Sequence, residues 1–491
     1  MTNSVRWCQF FLMVQVLATQ ERLGIAALTL VLAGCVAAYP AWGQTAPPSV
    51  DSESLAQFGA PAQLVQPTSA GQAAPPATIT LQDALEHAQK NDAQFLSAVT
   101  DAKLAKEDRL QARDMMLPSL SDSTQFLGTQ GNGKTAEGRF VTNDGVHVYR
   151  QWAVAREDLS PNTYLLTGYR RAAAVQALVN AKQEIARRGL TVTVTKAYYA
   201  MIVAQRKYAT GQRALAQAKH FLDVSQDLER AGEAAHGDVI KSEIQYGQLQ
   251  QAFQDEQLAM EDARLDLAVL LFPALNENFT VVDDLDSPRA LPQFPEVETM
   301  ARQQNPDLRV AEQNLRASEL DVSAAKGAFL PSIFLETDYG IEANDFALRA
   351  VPKAHPDLGP LPTLGYFATA SLTFPVWDWG TLRSKLHQAE YKQQQAHTEL
   401  SQAQRQVLSN LYSFYNEASV AQAAVVTARR TAELAAESLR LSNLRYQSGE
   451  ATSLEAVDAQ NTLTAAQNAL DDAESRYRVA LANLQTLTGN F

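Results

Sequence analysis

The chain has 491 residues, with 41 Lys+Arg against 54 Asp+Glu and a formal net charge of −13. That acidic balance argues against a nucleic-acid binder, which carries a basic stripe. Only residues 23–38 form a long apolar run, which excludes a helical multi-pass membrane protein, and 23 Gly with 20 Pro are too few for a chain disordered throughout.

In chain order, residues 23–38 (LGIAALTLVLAGCVAA) follow Arg22 and precede the small residues Ala41 and Gly43, which predicts a secretory signal over 1–43 with cleavage before Gln44. Leu32-Ala33-Gly34-Cys35 also fits the bacterial lipobox, with Cys35 as the lipidated residue, and the sequence leaves both readings open. Either one exports the chain. The two cysteines are Cys8 and Cys35, so the exported protein has no disulfide and depends on packing or assembly for stability. No HExxH, CxxC, GxSxG or phosphate-binding glycine loop occurs, so no catalytic, cofactor-binding or metal site is expected.

Residues 44–77, rich in Pro, Ala, Ser and Gln, read as a flexible linker. Thr80 then caps a helical pattern reaching Pro118. Proline is absent between Pro161 and Pro273 and again after Pro375, in stretches rich in Ala, Leu, Gln, Glu and Arg. Each stretch has one interior turn signal, Ala231-Gly232-Glu233 and Ser448-Gly449-Glu450. Long helices are therefore predicted over 162–228 and 380–446, each about 100 Å long at about 1.5 Å per residue. Shorter helices return over 236–272 and 454–488. The positions 382, 386, 389, 393, 396, 400, 403, 407, 411, 414, 418, 421, 425, 428, 432, 435 and 439 are apolar except Gln393, the seam of a coiled coil.

The chain is also duplicated. Asn91…Leu117-Pro118-Ser119 recurs as Asn305…Leu330-Pro331-Ser332, and Gly232-Glu233-Ala234 recurs as Gly449-Glu450-Ala451. The first repeat covers 78–272, the second 296–489, and residues 273–295 connect them. Each repeat reads as short helix, strand pair, long helix, turn, short helix. The strand pairs lie within 119–156 and 333–374. Ile333–Ile341 and Tyr366–Phe374 alternate with period two over a length that crosses a bilayer as a tilted strand. Segments 119–128 and 146–156 are the weaker equivalents, with Val146, Val148, Trp152 and Val154 read as an apolar face interrupted by Arg150. A small soluble sandwich would show the same alternation. The aromatics Tyr339, Tyr366, Phe374, Trp377 and Trp379, at or just beyond strand ends, favour an interfacial girdle. Four strands cannot close a barrel, so several copies must pool them.

Two stretches carry a resemblance. Leu372-Thr373-Phe374-Pro375-Val376-Trp377-Asp378-Trp379-Gly380 is similar to a Pro-Leu-Phe-Asp-x-Gly strand-to-helix junction, and Leu444-Arg445-Tyr446-Gln447-Ser448-Gly449-Glu450 through Gln460 to an Arg-Tyr-x-x-Gly…Asp-Val-x-Asp-Ala helical tip. Both belong to the TolC family of outer-membrane efflux proteins, which the chain resembles over about residues 78–489. The resemblance implies a mainly α fold with a small β part: duplicated coiled-coil helices forming an α-barrel, and four transmembrane strands per chain completing a 12-stranded barrel in a homotrimer. It implies a passive channel in the outer membrane of a Gram-negative-type bacterium, in contact with its lipid and extending into the periplasm. The implied partners are a periplasmic adaptor and an inner-membrane RND or ABC pump, in efflux or type I secretion; nucleic acid is not among them. A coiled-coil structural or adhesin-type surface protein is the alternative.

Glu455 and Asp458, three residues apart, project from one helix face and under threefold symmetry would form stacked carboxylate rings favouring cations. By resemblance they match the family's gate acids, Asp238 a third, linked to a tyrosine equivalent to Tyr446. The family's gate arginine falls at Ala451. Gly232, Glu233, Gly449 and Glu450 mark the turns that the resemblance assigns to adaptor contact, although Leu228-Glu229 replace the Arg-Tyr pair in the first.

Overall fold

The computed structural model describes residues 77–128, 147–232, 235–273, 278–287, 289–343, 349–350, 361–362, 364–447 and 450–489. The leader, Cys35 and the linker up to residue 76 lie outside the described residues. Ala77, read as the end of the linker, opens a three-residue strand, β1 (Ala77–Ile79), which pairs in parallel with β4 (Phe279–Val281) of the connector.

The first short helical segment is two helices rather than one. Thr80 caps α1 (Leu81–Asn91) in a capping box with Asp83, whose N–H reaches the Thr80 hydroxyl at 3.2 Å. The backbone turns extended at Asp92, whose carboxylate caps α2 (Ala93–Asp114) through the Phe95 N–H at 2.6 Å. The same break divides the second repeat into α6 (Phe294–Gln304) and α7 (Pro306–Gly327) at Asn305, which Pro306 biases to extended backbone.

The first long helix also begins later than its composition suggests. After β3 (His147–Leu159) a single turn, α3 (Pro161–Tyr164), stops at Leu166, whose φ is +57°, and α4 runs from Thr167 to Ala231. The second long helix, α8 (Thr381–Gln447), follows Trp379, also at φ +57°. These two left-handed residues are equivalent in the duplication, and each costs about 1–2 kcal/mol of backbone strain. The returning helices are α5 (His236–Leu271) and α9 (Ser453–Thr488).

The helices form a wall four rods wide. The α2 and α5 helices flank α4 on one side, α7 and α9 lie between α4 and α8, and α8 forms the other margin. Every predicted seam position of α8 is buried or half-buried. Exposed large apolar residues concentrate on the two marginal rods: Ile240, Ile244, Leu258 and Leu265 on α5, and Leu408, Val420, Leu434 and Leu441 on α8. Among the described residues the central rod α4 has none.

The connector between the repeats is clamped at mid-height. Arg206 of α4 meets Asp283 and Asp286 of the connector at 2.6 and 2.9 Å, and Asp471 of α9 at 2.9 Å. Glu474, 4% exposed, is 2.7 Å from Arg429 of α8. Arg478 donates to the carbonyls of Asp284, Leu285 and Ser287. Burial pushes the Asp471 and Glu474 carboxyls up, whereas the hydrogen bond to Arg206 holds Asp286 down. Beside this clamp lies the apolar core of Tyr198, Tyr199, Ile202, Leu267 and Leu271.

The main sheet has the order β2-β3-β5-β8, all antiparallel, from β2 (Ser119–Gly128), β3 (His147–Leu159), β5 (Ser332–Ala343) and β8 (Leu364–Thr373). A two-residue ribbon, β6 (Arg349–Ala350) with β7 (Leu361–Pro362), sits in the β5–β8 loop. Register aligns Ile333 with Leu372, Leu335 with Ala370 and Tyr339 with Tyr366 on one face. It also corrects the reading of β3. Trp152 and Val154 stand opposite Gly340 and Asp338, on the polar face (Val146 lies outside the described residues). There Arg150 pairs with Glu342 at 2.9 Å and Arg156 with Glu336 at 2.8 Å. This face is the enclosed one: Val154 and Asp338 are both 3% exposed, against 81% for Tyr366 opposite. Gly340 is required because a Cβ there would collide with the Gln151 backbone and lie 2.7 Å from the Trp152 Cα.

Candidate functional site

The candidate site lies at the two helical turns far from the sheet. In the first, Gly232 adopts φ +76°, the conformation glycine allows without strain, and its N–H bonds the Glu229 carbonyl at 2.9 Å. His236 Nδ1 lies 2.7 Å from Glu229 Oε1 across the turn. Asp238 occupies the first turn of α5, where a carboxylate complements the helix dipole, and its ion partner is Lys241 of the same helix at 3.3 Å.

In the second turn the N–H groups of Glu450 and Ala451 both return to the Arg445 carbonyl, at 2.8 and 3.2 Å. Thr452 caps α9, accepting from the Glu455 N–H. The Arg445 guanidinium reaches Glu455 at 3.3 Å and the Glu450 carbonyl at 3.4 Å. Asp458 is exposed and has no ion pair among the described residues. Of the other sequence-derived residues, Glu233 and Gly449 lie outside the described residues. Tyr446 is in α8, with its side chain outside them.

The α5 and α9 helices are joined near these turns by Gln245 and Asn461, 3.2 Å apart, beside a cavity of about 50 Å³. Asp238 and the Glu455/Asp458 pair thus open two helices tied to each other. Sequence reasoning missed the role of Arg445, because an ion pair across ten residues and a turn has no periodic signature.

At the other end, the sheet offers one apolar face, one face of paired charges, and two open edges, β2 and β8. Residues 298–490 match the outer membrane efflux protein family. The outer membrane protein OprJ of Pseudomonas aeruginosa is 24% identical over 318 residues, 61% of this chain and 61% of OprJ. The alkaline protease secretion protein AprF of the same species is 22% identical over 431 residues, 83% of this chain and 84% of AprF. The crystal structure of the Campylobacter jejuni CmeC outer membrane channel superposes with a TM-score of 0.69 at 16% identity, over 83% of this chain and 85% of that one. The second half of the chain is therefore similar to the outer membrane efflux protein family, and the fold as a whole is that of the outer-membrane channels. Like these relatives it is an outer-membrane protein reaching into the periplasm, with a helical wall and a four-stranded antiparallel sheet. In this turn the arginine beside Glu455 is Arg445, and position 451 is an alanine.

Proposed function

We propose that three copies of this chain close into an outer-membrane duct that conducts substrates passively from a periplasmic adaptor and an inner-membrane RND or ABC pump to the exterior. One observation carries the reading: the helical wall and the sheet both stop at open margins. The wall ends in α5 and α8, which hold the exposed apolar residues, and the sheet ends in β2 and β8, whose backbone groups need partners. Open strand edges are not tolerated in lipid, so the margins must meet those of sister chains. Three copies of the 4-stranded sheet supply twelve strands.

In this assembly the apolar face meets lipid and the charge-paired face lines the lumen. The acids Asp238, Glu455 and Asp458, with Tyr446, form the periplasmic gate. The turns bearing Gly232, Glu233, Gly449 and Glu450 meet the adaptor. The duct performs no catalysis. The test is isolation of the outer-membrane fraction and conductance measurement in planar bilayers. Heat-resistant trimers that conduct are expected; a monomer in the soluble fraction would overturn the reading.

A further inference from the structure

We propose that the inner rim of the sheet is a phospholipid-binding collar: apolar side chains at the strand-to-helix corners sit at the membrane interface, and Arg170 and Arg383 below them meet the lipid phosphates. The proposal rests on the reading of the sheet as part of a membrane barrel.

Leu166 and Trp379 hold the equivalent corners of the two repeats, both at φ +57°. That conformation favours glycine or asparagine, and a bulky residue persists there only where its side chain is needed. Neither side chain fills a core, since Trp379 is 89% exposed and Leu166 37%. A strained residue that is also exposed has its partner outside the chain.

The identity of that partner follows from continuity. The apolar face of β8 runs through Leu364, Tyr366 and Leu372, and the alternation continues past the last paired residue, Thr373, into the exposed Phe374 and Val376. Trp377 then stacks edge-on against Trp379 at 5.6 Å. A surface that begins as a lipid-facing wall and extends past the strand end meets the same lipid where the headgroups begin, the depth tryptophan prefers.

The corners repeat one further feature. Arg170 and Arg383 each stand four residues after the left-handed residue, and the Arg170 N–H bonds the Leu166 carbonyl at 3.0 Å. Both arginines are exposed and neither forms an ion pair among the described residues. The N-terminus of α8 is already capped by Asp378, which accepts from the Gly380 and Leu382 N–H groups. The guanidinium is therefore the group left to bind a phosphate, for which its planar fork is suited.

Because β8 is an edge strand, the competing occupant is the corner of a neighbouring copy. The chain has five tryptophans, which makes fluorescence the direct probe. The full chain is reconstituted into liposomes of phosphatidylcholine or phosphatidylglycerol brominated at shallow acyl positions, and conductance of the same preparation is recorded. Trp377→Phe with Trp379→Phe is expected to reduce the quenched fraction roughly twofold or more. Brominated phosphatidylglycerol is expected to quench the parent more than phosphatidylcholine does, and Arg170→Gln with Arg383→Gln to remove that difference. Conducting liposomes with unquenched emission would assign the corner to a sister chain and overturn the collar. Equal quenching of the parent by both lipids would overturn the arginine contact. Loss of conductance together with quenching would overturn the duct reading itself.

Discussion

Asn305 joins the two ends of the second repeat: its oxygen caps α7 through the Leu308 N–H at 3.1 Å, and its amide nitrogen reaches the Leu487 carbonyl at the end of α9, at 3.5 Å. The first repeat divides the same tasks between neighbours. Asp92 caps α2, and Asn91 donates to the carbonyl of Leu271 at the end of α5. Asn305→Ala is therefore expected to destabilise by about 2 kcal/mol, through the lost cap and an orphaned carbonyl. Asn91→Ala, which keeps the cap, should cost about 1 kcal/mol. Urea unfolding followed by circular dichroism checks the order, and equal costs would refute the division of tasks.

Glu184 of α4 bonds Arg187 and Arg188 at 2.7 Å, and Arg188 in turn donates to the carbonyls of Thr486 and Gln304. The hydrogen bond from Arg187 outweighs burial and, with Arg188, brings the carboxyl down to about 2. A depressed acid contributes stability above its unfolded value, and the contribution is lost as pH falls through the folded one. Glu184→Gln should thus cost about 1 kcal/mol at neutral pH, since the group is partly exposed and screened. The difference should fade between about pH 5 and 2. A cost that is flat across that window would contradict the assignment.

Removing the cation from the mid-height clamp should be more severe. Arg206→Met leaves Asp283, Asp286, Asp471 and Glu474 facing one another, a loss of about 3–5 kcal/mol. The uncompensated carboxyls would rise in pKa, so part of the lost stability should return as the pH is lowered and vanish again as it rises. Arg206→Lys should not restore it, because one ammonium cannot serve several carboxylates on two elements. Melting curves of the three proteins between neutral and mildly acid pH decide the point.

The margin of the helical wall can be tested apart from its core. Leu434 and Leu441 on α8 are 54% and 47% exposed in the single chain. Leu434→Glu with Leu441→Glu should leave helix content intact and abolish heat-resistant trimers on gels. Survival of the trimers would remove α8 from the interface between copies.

At the far turns, Glu455→Ala with Asp458→Ala should abolish block of the channel current by trivalent cations. The two acids should not contribute equally. Glu455 is partly neutralised by Arg445 at 3.3 Å, whereas Asp458 has no such partner among the described residues. Asp458→Asn alone is expected to weaken the block more than Glu455→Gln in planar-bilayer recordings, and the reverse order would displace Arg445 from this role.

The two long helices were legible because proline is missing from them and because the 4-3 spacing from Leu382 to Leu439 marks the face that the structure buries. The breaks at Asp92 and Asn305 were not, since an extended residue whose own side chain caps the next helix interrupts the rod without disturbing its composition. The three-residue pairing of β1 with β4 is too short to show alternation. The face of β3 was misjudged because Trp152 and Val154 are apolar residues on a charged side: one covers Gly340, and the other is buried on the enclosed face. Spacing set Glu455 and Asp458 on one helix face and the resemblance alone supplied Asp238, whereas Lys241 and Arg445, which pair with Asp238 and Glu455, had no signal in the sequence.

The clamp at Arg206 has a mechanical consequence. It fastens the connector to α4 and α9 roughly midway between the sheet and the turns, and so acts as a fulcrum. In the proposed duct, flexing of the lower tips would be absorbed below that waist while the sheet stays fixed in the membrane, so one chain would combine a rigid mouth with a pliable throat without a separate hinge.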